Sequence, residues 1–107
     1  MSEKFLLYSS VDYPENLKSI NGITFTKREI DVISGIVSGK SGGTISLYLG
    51  IAPRTFEVHI RNIMLKLSCN SRDRVINFTE QTATFNAFYN HYLQLLLKYA
   101  FSSQLKK

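Results

Sequence analysis

The chain has 107 residues, of which 44% are apolar and 20% are charged, as in an ordinary globular protein and unlike a disordered one. Thirteen lysine and arginine residues against eight acidic residues give a net charge of +5, which suits a polyanionic partner without identifying one. The length suffices for one compact domain, and a single cysteine, Cys69, excludes an intramolecular disulfide and a zinc site built from several cysteines.

The first 22 residues have a mixed composition with weak periodicity, and we treat residues 1–22 as an N-terminal arm. Pro14 and the pair Asn21-Gly22 are turn signals, and the rest is compatible with a short helix or an extended arm. No strand pattern is seen here or further along the chain.

A first helix is predicted from Lys27 to about Ser38. Thr26 lies three residues before Glu29, which is the spacing of a capping box. Apolar residues then recur at three- and four-residue steps until Gly39, where a helix ends readily.

Two further helices follow in close succession. Ser41 is a candidate cap for a short second helix, which Gly50 ends. Pro53 is well placed at the first position of a third helix that extends to about Leu67. One apolar stripe of this third helix is predicted to face inward, and it consists of Phe56, Ile60, Ile63, Met64 and Leu67.

The last third of the chain predicts two more helices. Ser71 is a candidate cap for a fourth helix that begins at Arg72. Residues 79–84 include three threonines, whose lower helix propensity predicts a weakening or a break. A strong helical pattern then runs from Phe85 to about Phe101, and residues 102–107 are expected to be a frayed polar end.

The second and third helices have helix-turn-helix spacing, with an apolar face on the third for packing and a polar face for contacts. Amphipathicity alone favours a surface helix of an ordinary helical bundle. The local charge favours the first interpretation, because residues 53–74 contain five basic side chains against two acidic ones.

The sequence also resembles a known family in register. Residues 25–33 (FTKREIDVI) and 51–59 (IAPRTFEVH) are similar to the opening and the recognition helix of LuxR-type domains, also called GerE-type. Residues 62–67 (NIMLKL) and the pair Ser71-Arg72 follow at the family spacing. The resemblance covers about residues 23–80 without a gap.

The resemblance implies an all-α fold, a four-helix LuxR-type helix-turn-helix domain, to which residues 81–107 add a C-terminal helical extension. It implies a sequence-specific regulator of transcription that binds double-stranded DNA, not an enzyme. Arg61 is the strongest candidate for direct readout, because a guanidinium is suited to a bidentate contact with guanine. By position, the residues facing the bases are Glu57, Val58 and Arg61, and those near the phosphates are Arg54, Thr55 and Lys66.

Two departures from the family pattern lie in the helix-turn-helix itself. Gly42-Gly43-Thr44 stands where the family commonly has Asn-Lys-Glu, which removes a lysine, and each glycine weakens the short helix by ~0.5–1 kcal/mol. Ala52 stands where the family usually has a serine cap, a loss of about 1 kcal/mol. These changes motivate an alternative, a degenerate helix-turn-helix protein that acts through protein–protein interaction via its C-terminal helix.

Only about 22 residues precede the matched region, so we expect no receiver or ligand-binding domain and no small-molecule ligand. The C-terminal helix has a wide apolar surface, which either folds back onto the core or forms an interface. We predict a homodimer through residues 72–101. His59 is expected to pack, and His91 to be a surface or half-buried residue, since neither has a nucleophile and carboxylate at catalytic spacing.

The sequence shows no segment of the kind that enters a membrane. The apolar stretch at the N-terminus is too short for a signal peptide, and residues 93–101 are interrupted by Gln94 and Lys98. Cys69 is expected to be a half-buried structural residue in a reducing compartment. We therefore expect a cytoplasmic protein without a cofactor or a metal.

Overall fold

A computed structural model of the chain describes residues 12–105, and the side chains of residues 12–101. Six helices and one small hairpin are found in this part of the chain, and the all-α fold class is confirmed. In chain order the elements are α1 (Glu15–Lys18), β1 (Ser19–Ile20), β2 (Ile23–Thr24), α2 (Lys27–Val37), α3 (Gly42–Leu49), α4 (Pro53–Lys66), α5 (Arg72–Gln81) and α6 (Phe85–Leu105).

The hairpin corrects the prediction that the chain contains no strand. Strands β1 and β2 pair antiparallel, with Ser19 opposite Thr24. The two residues between the strands, Asn21 and Gly22, have φ values of 52° and 82°, as a tight two-residue hairpin turn requires. The turn signal was therefore visible in the sequence, whereas strands of two residues are too short to show an alternating pattern.

The predicted helix starts are confirmed by their caps. The Glu29 amide donates to the Thr26 hydroxyl over 3.1 Å, and the Thr26 amide donates to the Glu29 carboxylate over 2.9 Å, which completes the capping box of α2. Ser41 caps α3 by accepting from the amide of Thr44. Gly50 ends α3 in the left-handed conformation, with φ of 66°.

Helix α4 begins as predicted, at Pro53, and its preceding residue Ala52 supplies no side-chain cap. The break after α5 is also found, since α5 ends at Gln81 and Ala83 has a φ of 59°. Helix α6 continues to Leu105, so the predicted end near Phe101 was too early. The expected frayed end is therefore wrong for residues 102–105, and its last two residues, 106 and 107, lie outside the described residues.

Helix α2 lies at the centre of the core, with every residue from Glu29 to Val37 buried. Helix α6 packs mainly on α2 and more lightly on α3 and α5. One apolar core cluster includes Leu17 from α1, Ile63 from α4 and Phe88 from α6, all fully buried. The described part of the N-terminal arm, residues 12–22, and the C-terminal helix thus share the core of the helix-turn-helix region.

A buried polar cluster around Asp31 also joins these elements. The Asp31 carboxylate lies 2.8 Å from Nε2 of His91 and accepts a hydrogen bond of 2.9 Å from the Tyr13 hydroxyl and one of 3.0 Å from Nη1 of Arg28. His91 is only 2% exposed, so the prediction of a surface or half-buried residue was wrong. Its partner lies 60 residues earlier in the chain, where no local pattern reveals it.

None of the helices in residues 12–105 is both long and apolar enough to cross a membrane.

Candidate nucleic-acid interface

The outer face of α4 carries five of the six side chains that the sequence singled out. They project from the second helix of a helix-turn-helix, which follows α3 after the turn at Gly50. All five are exposed, namely Arg54, Thr55, Glu57, Val58 and Arg61.

The buried side of α4 fixes which side chains point outward. Phe56 and Ile60 are buried, and Ile63 is completely so. Because residues three and four apart share a helix face, this inner stripe leaves Arg54, Glu57 and Arg61 together on an exposed face. The burial of the apolar residues therefore sets the rotation of the polar ones.

These outer side chains are available for a partner. Among the residues that the structure describes, Arg54, Glu57 and Arg61 make no side-chain hydrogen bond and no ion pair within the protein. Two guanidinium groups offer donor forks, and one carboxylate offers acceptors, as groove contacts with bases require. Val58, 43% exposed, adds an apolar surface of the kind that contacts a thymine methyl group.

Lys66, the sixth predicted residue, has a different environment from the one expected. Its ammonium lies 2.6 Å from a carboxylate oxygen of Glu29 and donates to the carbonyl of Thr24 over 2.8 Å. It also lies 5.7 Å from the centre of the Phe25 ring. The ammonium of this exposed lysine is thus paired within the protein, which anchors the end of α4. The phosphate contact that the resemblance implies for Lys66 stays a prediction.

Arg72 was quoted in the resemblance but was not among the predicted site residues. Its guanidinium lies 5.7 Å from the centre of the Phe56 ring and donates to the carbonyl of Lys40 over 3.3 Å. Together with Arg61 it lines an open groove of about 450 Å³ beside α4. In the sequence, the local excess of basic residues was the only sign that Arg72 belongs to this surface. Its contacts with Lys40 and Phe56 join segments that are distant in the chain, so no local pattern reveals them.

The two glycines at the start of α3 are not equivalent. A Cβ atom on Gly42 would lie 2.8 Å from Cε2 of Phe56 and 3.3 Å from Nη2 of Arg72, so the absence of a side chain lets the ring and the guanidinium pack there. A Cβ atom on Gly43 would meet only the Ser41 hydroxyl, at 3.9 Å. The loss of helix stability expected from a glycine is therefore offset by packing at Gly42, whereas at Gly43 no such packing offsets it.

Cys69 and His59 are not among the predicted contacts with DNA. Cys69 is half-buried, as expected. His59, which is expected to pack, is half-buried as well. In the part of the chain that is described, no three His, Cys, Asp or Glu residues are grouped so that they could hold a metal ion.

Comparison with known proteins identifies a family. Residues 24–79 match the family described as bacterial regulatory proteins, luxR family. Over 53 residues the chain is 38% identical to the transcriptional regulatory protein FixJ of Rhizobium meliloti (strain 1021), an alignment that covers 50% of this chain and 26% of that protein. It is 43% identical over 47 residues to the nitrate/nitrite response regulator protein NarP of Escherichia coli (strain K12), covering 44% of this chain and 22% of that one.

A further relative is the transcriptional regulatory protein FixJ of Bradyrhizobium diazoefficiens (strain USDA 110), 30% identical over 63 residues, which are 59% of this chain and 31% of that protein. The aligned part of the chain thus spans less than a third of each of these relatives. No solved structure gave a significant match.

Proposed function

Because the chain belongs to the luxR family of bacterial regulatory proteins, we propose that it regulates transcription by binding a specific sequence of double-stranded DNA with the outer face of α4. One observation carries the proposal. A helix-turn-helix presents Arg54, Glu57 and Arg61 on one exposed face, and none of them has a partner among the described residues. Charged side chains left without partners on the second helix of this motif are suited to groove contacts.

Within this proposal some side chains contact bases and others contact phosphates. Arg61 contacts a guanine by its two parallel donors, and Glu57 accepts from the amino group of a cytosine. Arg54 and Thr55, in the first turn of α4, contact phosphates and fix the register of the helix in the groove. Arg72, at the start of α5, adds a positive charge beside them.

The net charge of +5 supports the same partner, since phosphate contacts release counterions and attract a basic protein. The affinity for DNA is then expected to fall steeply as the salt concentration rises. A cytoplasmic location follows from the DNA partner and is part of the proposal.

The test begins with selection of bound sequences from a random pool of double-stranded DNA by the full chain. The enriched site is then used in electrophoretic shift assays. Arg61→Ala is expected to weaken binding about 10- to 100-fold, because a bidentate base contact is worth ~1–3 kcal/mol of discrimination. Lys98→Ala is the matched control, since it removes the same charge from α6 and is expected to change the affinity only slightly.

Two outcomes would contradict the proposal. One is the recovery of no enriched sequence, and the other is equal weakening by Arg61→Ala and Lys98→Ala. In either case the alternative function, protein–protein interaction through the C-terminal helix, gains support. One observation favours that alternative, namely the exposed apolar side chains of α6, among which Leu97 is 66% exposed.

The proposal also includes a homodimer through residues 72–101. The same exposed apolar side chains support it, because an apolar patch on a monomer marks an interaction site.

A further inference from the structure

We propose that the outer face of α6 pairs antiparallel with the same face of a second copy of the chain, with Leu93 near the two-fold axis. The inference rests on the homodimer of the proposed function and deepens it by naming the paired surface. It assigns the contact to α6 and not to α5, although both lie within residues 72–101.

Helix α6 has two apolar sides, only one of which is used by the core. The inner side buries Phe88, Tyr92 and Leu95. On another side, Tyr89 is 42% exposed, Leu93 39% and Leu97 66%, at steps of four residues along one line. At 1.5 Å per residue this line is about 12 Å long, on a helix of roughly 30 Å.

The exposed face carries no charge. Beside the apolar line, at the same four-residue steps, lie the uncharged amides of Asn86, Asn90 and Gln94, all exposed. Besides the buried His91, Lys98 is the only titratable cation of residues 85–101, and that segment contains no acidic residue. Lys98 lies five residues beyond Leu93, on the far side of the amides.

The absence of charge favours a second copy as the occupant. A two-fold interface is isologous, so each side chain meets the same surface patch on its partner, and any charge near the axis meets its like. On a chain with net charge +5, a face free of charge is one that tolerates self-contact. A nucleic acid would instead require cations here.

The exposed side of α5 has the opposite character. Its apolar residues Val75, Ile76 and Phe78 are buried or half-buried. Its exposed side chains are all polar, namely Arg72, Asp73, Arg74, Asn77, Glu80 and Gln81. This surface offers no apolar centre for an interface, whereas α6 offers three exposed apolar side chains in a row.

The antiparallel arrangement follows from the positions along α6. With Leu93 near the axis, it meets Leu93 of the second copy, and Leu97 meets Tyr89 of the second copy. Each long exposed side chain then covers another, and the amides form the polar rim. The arrangement leaves the outer face of α4 free, because α6 packs mainly on α2 and more lightly on α3 and on α5.

The test is sedimentation velocity of the full chain across the micromolar range, without DNA. The wild type is expected to be a dimer, and Leu93→Glu to weaken dimerisation about 100-fold, because it sets like charges face to face. Leu97→Glu, at a more exposed position, is expected to act in the same direction and guards against a folding defect in the first variant. Leu65→Glu is the matched control, since Leu65 is 71% exposed but lies on α4.

Mixing two variants tests the arrangement itself. Leu93→Glu and Leu93→Lys, each monomeric alone, are expected to form a heterodimer when mixed, because residue 93 meets its own counterpart. Circular dichroism confirms that each variant is folded. Failure of the mixture to associate would overturn the arrangement centred on Leu93.

Other outcomes separate this inference from the proposed function. A monomeric wild type overturns the inference, and the exposed face of α6 would then be assigned to contact with a different protein. A dimer that neither α6 variant disrupts also overturns it. A dimer that Leu93→Glu disrupts, combined with selection of no DNA sequence, supports the inference and contradicts the proposed function alone.

Discussion

Gly42 is the residue on which the start of α3, the Phe56 ring and the Arg72 guanidinium converge. We predict that Gly42→Ala destabilises the protein by ~1–3 kcal/mol, because the added Cβ would lie 2.8 Å from a ring that is only 3% exposed. Gly43→Ala is the control, and it is expected to be neutral or to stabilise by up to ~1 kcal/mol, since the space around it is open. Urea denaturation of both variants measures the difference, and equal effects would contradict the assignment.

The buried carboxylate of Asp31 has a consequence for alkaline stability through Tyr13. Burial, together with the charge of Asp31 and the hydrogen bond to it, raises the pKa of the Tyr13 hydroxyl well above its usual value near 10. Because the folded-state pKa is the higher one, this contribution is complete below pH 10 and is lost as the pH rises toward the folded-state value. Burial also raises the pKa of Tyr92, to about 12, which acts in the same direction.

We therefore predict that Tyr13→Phe is less stable than the wild type at neutral pH, by ~1.5–3 kcal/mol for a lost hydrogen bond to a charged group. Above pH 10 the stability of the wild type is expected to fall more steeply than that of the variant, so that the two curves converge. Thermal denaturation between neutral pH and pH 11 checks this, and parallel curves would show that Tyr13 does not contribute.

At the scale of elements, the ion pair between Lys66 and Glu29 fastens the end of α4 to the start of α2. The Glu29 side chain is only 4% exposed, so loss of its partner leaves a buried charge. We predict that Lys66→Met lowers the free energy of unfolding by ~2 kcal/mol while changing the DNA affinity of the folded protein little. Arg54→Ala is expected to show the reverse pattern. Loss of DNA binding by Lys66→Met without loss of stability would instead support the phosphate contact that the resemblance implies for this lysine.

The elements differ in how far the sequence predicts them. Thr26, Ser41 and Ser71 bond to amides a few residues away, so the starts of three helices follow from local chemistry alone. The contact of Lys66 with Glu29 spans 37 residues, and that of His91 with Asp31 spans 60. Such pairs depend on how helices pack, which a single sequence does not reveal.

The candidate site was predictable for the same reason that the helix starts were. The side chains on the outer face of α4 are set by the apolar period of that helix and by the family resemblance, both of which are local. Arg72 was not chosen as a site residue, because its contacts with Lys40 and Phe56 depend on how the helices pack. The candidate residues on α4 were thus named from the sequence, whereas Arg72, which comes from a neighbouring helix, was not.

For the whole molecule, helix α6 connects folding with assembly. Its inner face places Phe88, Tyr92 and Leu95 in the interior, and its His91 pairs with the buried Asp31. We predict that a chain shortened after Gln81 loses cooperative thermal unfolding, because each of these apolar side chains contributes ~1.5–3 kcal/mol and a domain of this size has little to spare.

The full chain carrying Leu93→Glu is the control for this truncation, because it keeps the inner face of α6 and alters only the outer one. It is expected to unfold cooperatively as a monomer, so that loss of the helix and loss of the dimer are separated. Differential scanning calorimetry of both proteins makes the comparison. If the shortened chain instead unfolds cooperatively near the midpoint of this monomer, then residues 1–81 fold without α6, and α6 serves association alone.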